Sequence, residues 1–278
     1  MSKILVCTDL DRTLIPNGFQ PESDGARGHF SCFVSREAVS LAFVSGRHLQ
    51  LIEQAIDQYQ LPVPDYAIAD VGSTIYRRDN ERWHVWQAWS DEIAGDWQGQ
   101  ESKTLQNMLS DIDMLKLQEF EKQNVHKLSY YLPLMADRDA TLEAIQKRLQ
   151  AKSIRANVIW SVDEQAEIGL IDILPISANK LHAIRFLMQQ EGMDEKTTVF
   201  AGDSGNDLDV LLSSIPSVLV ANADVEVREA TQAASPNSLY IAQGDFLGMN
   251  GNYSAGILEG IAHFHPEFIK DIERCKGG

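Results

Sequence analysis

Short apolar runs alternating with helically spaced segments, near both ends of a 278-residue chain, leave few folds open. "KILVCTDL" from residue 3 and "AVSLAFVSGR" at 38–47 read as buried strands. "HLQLIEQAIDQY" at 48–59 places Leu49, Ile52, Ala55 and Ile56 on one side of a helix. "DYAIADVGSTIY" supplies another strand and a turn. The same rhythm returns late in the chain, with the helix "SANKLHAIRFLMQQEG", the strands "TTVFAGD" and "PSVLVAN", and the closing helix "YSAGILEGIAHF". Strands alternating with helices over short loops predict an α/β fold with a doubly wound, Rossmann-like parallel sheet.

Between about residues 84 and 171 the texture changes. Trp83, Trp86, Trp89 and Trp97 lead into a long helical stretch, followed by strand-like "HKLSYYLP", helical "RDATLEAIQKRLQAK", and strand-like "RANVIWSV" and "EIGLIDILP". That order predicts a small α+β insert at 84–171, returning the chain to a core made of 1–83 and 172–278. No repeat or low-complexity linker interrupts it. The tryptophans suit packing better than stacking on a ligand.

The chain can bury a large core, and 44% hydrophobic with 23% charged residues is ordinary globular usage. No apolar stretch nears the roughly 20 residues needed to span a bilayer. "MSKILVCTDL" lacks the apolar segment and cleavage site of a secretion signal, so a cytoplasmic location is expected, and the glycosylation pattern at Asn252 is without meaning there. Cys7, Cys32 and Cys275 show no metal-ligand spacing; no disulfide is expected, and Cys7 reads as buried packing. Forty acidic against 24 basic residues give a formal charge of −16, which repels nucleic acid and anionic membranes. An anionic small substrate would need a local cation or a bound metal.

Polar residues cluster where strands end. Asp9 and Asp11 follow the first strand, Ser45 the second, Asp203, Asn206 and Asp207 a later one, and Lys180 opens a helix. The carboxyl ends of parallel strands meet along one edge, where such folds bind ligands. Carboxylates forced together repel unless a divalent cation sits among them, and oxygen-only ligands suit Mg2+. Asp9 could then accept a phosphoryl group, and Asp11, two residues along on the same side of the chain, could donate and retrieve a proton. Lys180 and the Ser45 hydroxyl would hold the equatorial oxygens. Singly each motif is ordinary; in this order, each beside a strand, they point to phosphoryl chemistry. His126, His182 and His263 lack ligand spacing and read as structural or exposed. The glycine-rich stretch 244–256 lacks a P-loop lysine and reads as a turn.

DLDRT, SGR, NK and GDSGND together resemble the motifs of the haloacid dehalogenase-like phosphatases. With "DVGSTIY", "HKLSYYLP", "DILP" and "SAGILEGIAHF", the chain is most similar to the sucrose-6-phosphate phosphatase subfamily, over nearly its whole length. The resemblance implies that Asp9 is the nucleophile and Asp11 the acid/base. It implies a magnesium site of Asp9, the Asp11 backbone carbonyl and Asp203, supported by Asp207 and Asn206. Ser45, Gly46, Arg47 and Lys180 would bind the phosphoryl group. The insert would be a cap that selects the sugar, with Lys127 and Ser129 near the disaccharide. Ser45 stands where the family often has Thr, and its hydroxyl can make the same bond. The roles of Arg12 and His48 stay open.

The expected function is therefore Mg2+-dependent hydrolysis of a disaccharide phosphate, sucrose 6-phosphate first, by a monomer that could associate with a sucrose-phosphate synthase. Mannosylfructose phosphate and a glycosyl-phosphoglycerate are the rival substrates. A non-catalytic phosphate-binding module partnering a synthase is the rival class; such a module has no need of Asp11 or a cap.

Overall fold

A computed structural model describes residues 3–163, 166–233 and 237–275. In chain order the strands are β1 (Ile4–Thr8), β2 (Val39–Val44), β3 (Tyr66–Ala69), β4 (Thr74–Asp79), β5 (Arg82–Val85), β6 (Lys116–Leu117), β7 (Leu128–Pro133), β8 (Ala156–Asp163), β9 (Ile168–Pro175), β10 (Thr198–Gly202), β11 (Ser217–Leu219) and β12 (Leu239–Ile241). The helices are α1 (Ala26–Val34), α2 (Leu49–Tyr59), α3 (Gln87–Ala94), α4 (Ser102–Leu109), α5 (Arg138–Ala151), α6 (Lys180–Glu191), α7 (Leu208–Leu211), α8 (Val225–Ala230), α9 (Ser254–Phe264) and α10 (Ile269–Glu273). The chain divides into two compact units. One is Met1–Gly72, Tyr76–His84 and Lys180–Gly278; the other is Ser73–Ile75 with Val85–Asn179.

The first unit is built on an eight-stranded sheet of order β12-β11-β10-β1-β2-β3-β4-β5. From β12 to β3 every neighbouring pair is parallel. ILVCT carries no charge and is wholly buried, as a strand covered on both faces must be. Strand order reverses between β10 and β1, with Cys7 opposite Phe200 on one side and Ala42 on the other. The carboxyl ends flanking that reversal are where a doubly wound sheet opens a crevice.

Helix α9 is apolar nearly all round, and Ser254 through Ala262 are buried. Gly260 allows it to lie on the sheet, because a Cβ there would stand 2.1 Å from Val218. Helix α1 was not legible in the sequence although Ala26, Phe30, Phe33 and Val34 keep helical spacing, because Gly28 and Ser31 lower the helix propensity of so short a segment. Its Phe33 meets Phe268 edge-on at 5.8 Å between ring centroids. Cys32 of α1 is bonded to Cys275 just beyond α10, which corrects the expectation of no disulfide. No spacing signal links cysteines 243 residues apart; helix packing alone makes them neighbours. Cys7 is free and buried, as expected. Among the described residues no helix is long and apolar enough to cross a membrane.

The second unit carries an antiparallel sheet of order β6-β7-β9-β8 backed by α4 and α5. Trp97, Leu105, Leu128, Ile145, Ile171 and Ile173 belong to its own core, and Trp89 and Trp97 are fully buried. The unit ends at Asn179, past the expected boundary at 171, because β9 continues to Pro175 paired with β8. A cut at 171 would divide that strand. The long helical stretch expected after the tryptophans is two short helices, broken where Gln98 and Gly99 take left-handed conformations.

Candidate active site

β1 stops at Thr8, and Asp9 follows with its N–H still donating to Ala201 of β10 at 2.9 Å. The chain then turns at once. The Leu10 carbonyl accepts from the N–H groups of Thr13, Leu14 and Ile15, and Arg12 takes a left-handed φ of 60°. Strand alternation ends with β1, so the turn rather than the pleat sets where the Asp11 side chain goes. Asp9 is buried, whereas the Asp11 side chain is 41% exposed and bonded elsewhere.

Lys180, the first residue of α6, is almost fully buried. Its Nζ donates to Asp9 at 2.8 Å, Asp207 at 2.7 Å and the Asn206 side-chain carbonyl at 2.9 Å. Asp207 is committed further: its other carboxylate oxygen accepts from the Asp203 N–H, the Ser204 N–H and the Ser204 hydroxyl. The loop can close this tightly because residue 202 is glycine; a Cβ there would lie 2.7 Å from the Asp207 carboxyl. Asp203 accepts from the Thr13 hydroxyl at 2.8 Å, while its second oxygen is buried without a hydrogen bond, 3.5 Å from Arg12 Nε.

Asp9, Asp203 and Asp207 each offer an oxygen within 4.8 Å of the others. Three buried carboxylates face one buried ammonium and, at 3.5 Å from Asp203, the part-exposed Arg12 guanidinium that Asp224 also holds, leaving excess negative charge. Burial pushes the Asp9 carboxyl up, with Lys180 pulling it down and Asp207 and Asp203 adding to the rise. Asp203 is pushed up to about 6, chiefly by burial and further by Asp207, against Thr13 and Arg12. Burial works against the Lys180 ammonium, but Asp207 and Asp9 outweigh it and hold the proton more tightly than usual. An orphaned oxygen, hard ligands and unbalanced charge fit a small divalent cation.

Ser45, buried after β2, donates its N–H to Ile68 and accepts the Arg47 N–H on its hydroxyl at 3.2 Å. Gly46 is exposed between them. Left-handed Asp70 and Val71 donate their N–H groups to the Arg47 and Ser45 carbonyls at 3.0 and 3.1 Å, shaping this loop from β3. Arg47 lies against Asp11 rather than standing free: two guanidinium nitrogens reach its carboxylate at 2.7 and 2.6 Å, and Asn17 donates to it at 2.7 Å. Burial works upward on Asp11, but the Arg47 bonds and charge, with Asn17, hold the carboxyl below its ordinary range. Asn17 and Asp70 carried no sequence signal, since their contacts exist only once the turns have formed.

In the second unit, Ser129 is fully buried, and its hydroxyl donates to Asp172, its partner across the β7–β9 pair. Lys127 Nζ lies 3.8 Å from the same carboxylate. The Ser129 hydroxyl thus braces Asp172 beside Lys127. His126 packs edge-on against Trp97 beside the Ser90 hydroxyl, a structural setting as expected. The 244–251 turn is gripped from below by buried Glu259, which accepts from the N–H groups of Gln243 and Gly244.

The sequence pattern of the sucrose-6F-phosphate phosphohydrolase family matches residues 2–265. A HAD-like hydrolase of Nitrosococcus oceani is 55% identical over 95% of this chain and 72% of its own length. Tobacco sucrose-phosphatase 1 is 28% identical over 99% of this chain, which spans 64% of that enzyme's length. A mannosylfructose-phosphate phosphatase of Agrobacterium fabrum is also 28% identical, over 94% of this chain and 96% of its own. Among solved structures, the Synechocystis sucrose-phosphatase, crystallised with sucrose and phosphate, superposes with a TM-score of 0.71 at 29% identity, covering 95% of this chain and 98% of that one.

Proposed function

The chain belongs to the sucrose-6F-phosphate phosphohydrolase family and is a phosphoric monoester hydrolase; from that premise we propose that it hydrolyses a disaccharide phosphate, sucrose 6-phosphate first, with Mg2+ as its cofactor. The observation that carries this reading is the buried Asp9, Asp203 and Asp207 cluster bridged by Lys180. Asp9 and Asp203 would hold the ion with the Asp11 backbone carbonyl, and Asp207 would support them through Lys180 and the loop. Bound there, the ion supplies positive charge to the phosphoryl oxygens and lowers the pKa of the carboxyls around it.

The residues then divide the reaction. An Asp9 oxygen attacks phosphorus as the bond to the sugar oxygen breaks, giving an aspartyl-phosphate, and protonated Asp11 gives its proton to the departing sugar oxygen. Water then attacks the phosphorus, Asp11 takes its proton, and phosphate leaves with Asp9 restored. Lys180 and Ser45 hold the phosphoryl oxygens. Paired with Arg47, Asp11 rests in the base form the second step requires, so before the first step it takes up a proton from solvent, which the sugar oxygen then receives. The second unit, through Lys127 and neighbouring β7 groups, would supply the contacts that choose the sugar.

The equal identity to sucrose-phosphatase 1 and to the mannosylfructose-phosphate phosphatase favours one rival substrate. Phosphate release from sucrose 6-phosphate, mannosylfructose phosphate and fructose 6-phosphate, with Mg2+ and with chelator, decides. Fastest release from sucrose 6-phosphate is expected, with loss on chelation; faster release from mannosylfructose phosphate moves the assignment there. No release from any of them would leave the synthase-associated module.

A further inference from the structure

We propose that Asn222 and Asp224, in the loop after β11, brace the turn at Asp11–Thr13 and so position the acid/base; the inference rests on the phosphatase reading. Arg12 is the strained point of that turn. Its left-handed φ of 60° crowds a long side chain against its own backbone, and such residues persist only where their surroundings over-determine them. On one side Asp11 directs its carboxylate to Arg47; on the other Thr13 donates to Asp203. A relaxed Arg12 would turn both away.

Three hydrogen-bonded tethers hold Arg12, besides the 3.5 Å approach of its Nε to Asp203. Its N–H donates to the Asn17 side chain at 2.8 Å, its carbonyl accepts from Asn222 Nδ2 at 2.5 Å, and its guanidinium forks onto Asp224 at 2.5 and 3.1 Å. Two of the three come from the 220–224 loop. That loop is itself anchored, by Ala221 N–H on Gly251 and Ala223 N–H on Val220. Asn222 is buried, and its other amide atom accepts the Tyr253 N–H at 2.8 Å, where α9 begins. A carbonyl on one side and an N–H on the other require a donor and an acceptor in one side chain, which Asn provides. Asp in its place keeps the Tyr253 bond and sets a carboxylate oxygen against the Arg12 carbonyl where the donor stood, turning the tether into a repulsion.

The test compares Asn222→Asp, Asp224→Ala, Arg12→Gly and the Asn222→Asp/Arg12→Gly double variant with the parent, using p-nitrophenyl phosphate so that sugar choice plays no part. Asn222→Asp is expected to lower kcat at least tenfold with KM within threefold. Asp224→Ala, at a half-exposed site that leaves the core untouched, is expected to lower kcat at least threefold with an unchanged melting temperature; it carries the test if Asn222→Asp fails to fold. Gly takes the left-handed conformation without strain, so the double variant should lose less than the product of the single losses. In a crystal structure of Asn222→Asp, Arg12 should leave φ near +60°. Asp224→Ala within twofold of the parent kcat, singly multiplying losses, or an unmoved Arg12 overturns the brace. The crystallographic readout needs no turnover, which separates failure of the brace from failure of the phosphatase reading.

Discussion

Replacing Asp203 by Asn should make the metal-free protein more stable while removing its activity. The Asp203 carboxyl rises from its ordinary 3.8 to about 6 on folding, with burial the largest cause. Because the folded state holds that proton more tightly, it binds more protons than the unfolded chain between those values, and stability falls as pH rises through the window. At about 1.4 kcal/mol per tenfold, the ionised carboxylate costs about 3 kcal/mol above pH 6. Asn keeps an acceptor for the Thr13 hydroxyl, and the pull of Arg12 at 3.5 Å is already contained in that net rise. The net gain is therefore about 3 kcal/mol. Urea denaturation with chelator at pH 7.5 measures it, as a higher midpoint at unchanged slope. Near pH 4 the unfolded carboxyl also takes up its proton, and the gain should vanish. Adding Mg2+ at pH 7.5 should stabilise the parent, by about 2.7 kcal/mol at a hundredfold excess over its dissociation constant, and leave the variant unmoved. A metal-free variant less stable than the parent at pH 7.5 would refute the reasoning.

Lys180→Met leaves Asp9 and Asp207 facing each other without a counter-charge; chemical denaturation at pH 7.5 should show a loss of about 3–5 kcal/mol that shrinks on acidification as the carboxyls take up protons, with phosphate release abolished. Arg47→Gln frees the Asp11 carboxyl to rise, so the alkaline limb of the kcat/KM profile, where Asp11 loses the proton it must give in the first step, should move to higher pH; an unmoved limb means Arg47 does not govern Asp11. Thiol titration of the unfolded, unreduced chain should find one free cysteine, Cys7, and Cys32→Ser should lower stability in urea by up to about 5 kcal/mol in the chain-entropy account. Three free thiols would instead fit the reducing cytoplasm expected from the sequence.

The parallel sheet was legible because its strands are short uncharged runs, and Asp9, Ser45 and Asp203 were legible because each stands within two residues of one's end. Lys180 could be read as a helix start, and the sheet reversal between β10 and β1 accounts for the convergence. What alternation could not foresee was the departure from extended chain after Thr8. The left-handed Arg12 sends Asp11 to Arg47 and Asn17, partners 36 and 6 residues away that no spacing rule connects. The disulfide stayed hidden for the same reason: α1 is masked by glycine and serine, and its meeting with the chain's last helix is set by tertiary packing. Ser129 was placed in the right strand, but strand position alone does not say that Asp172 would occupy its hydroxyl.

The Cys32–Cys275 bond converts almost the whole polypeptide into a covalent ring. A protease nicking any loop between those residues would open the ring without releasing a fragment. The two pieces would migrate together on a denaturing gel until a reductant parted them, and a nicked molecule could refold from halves that never drift apart.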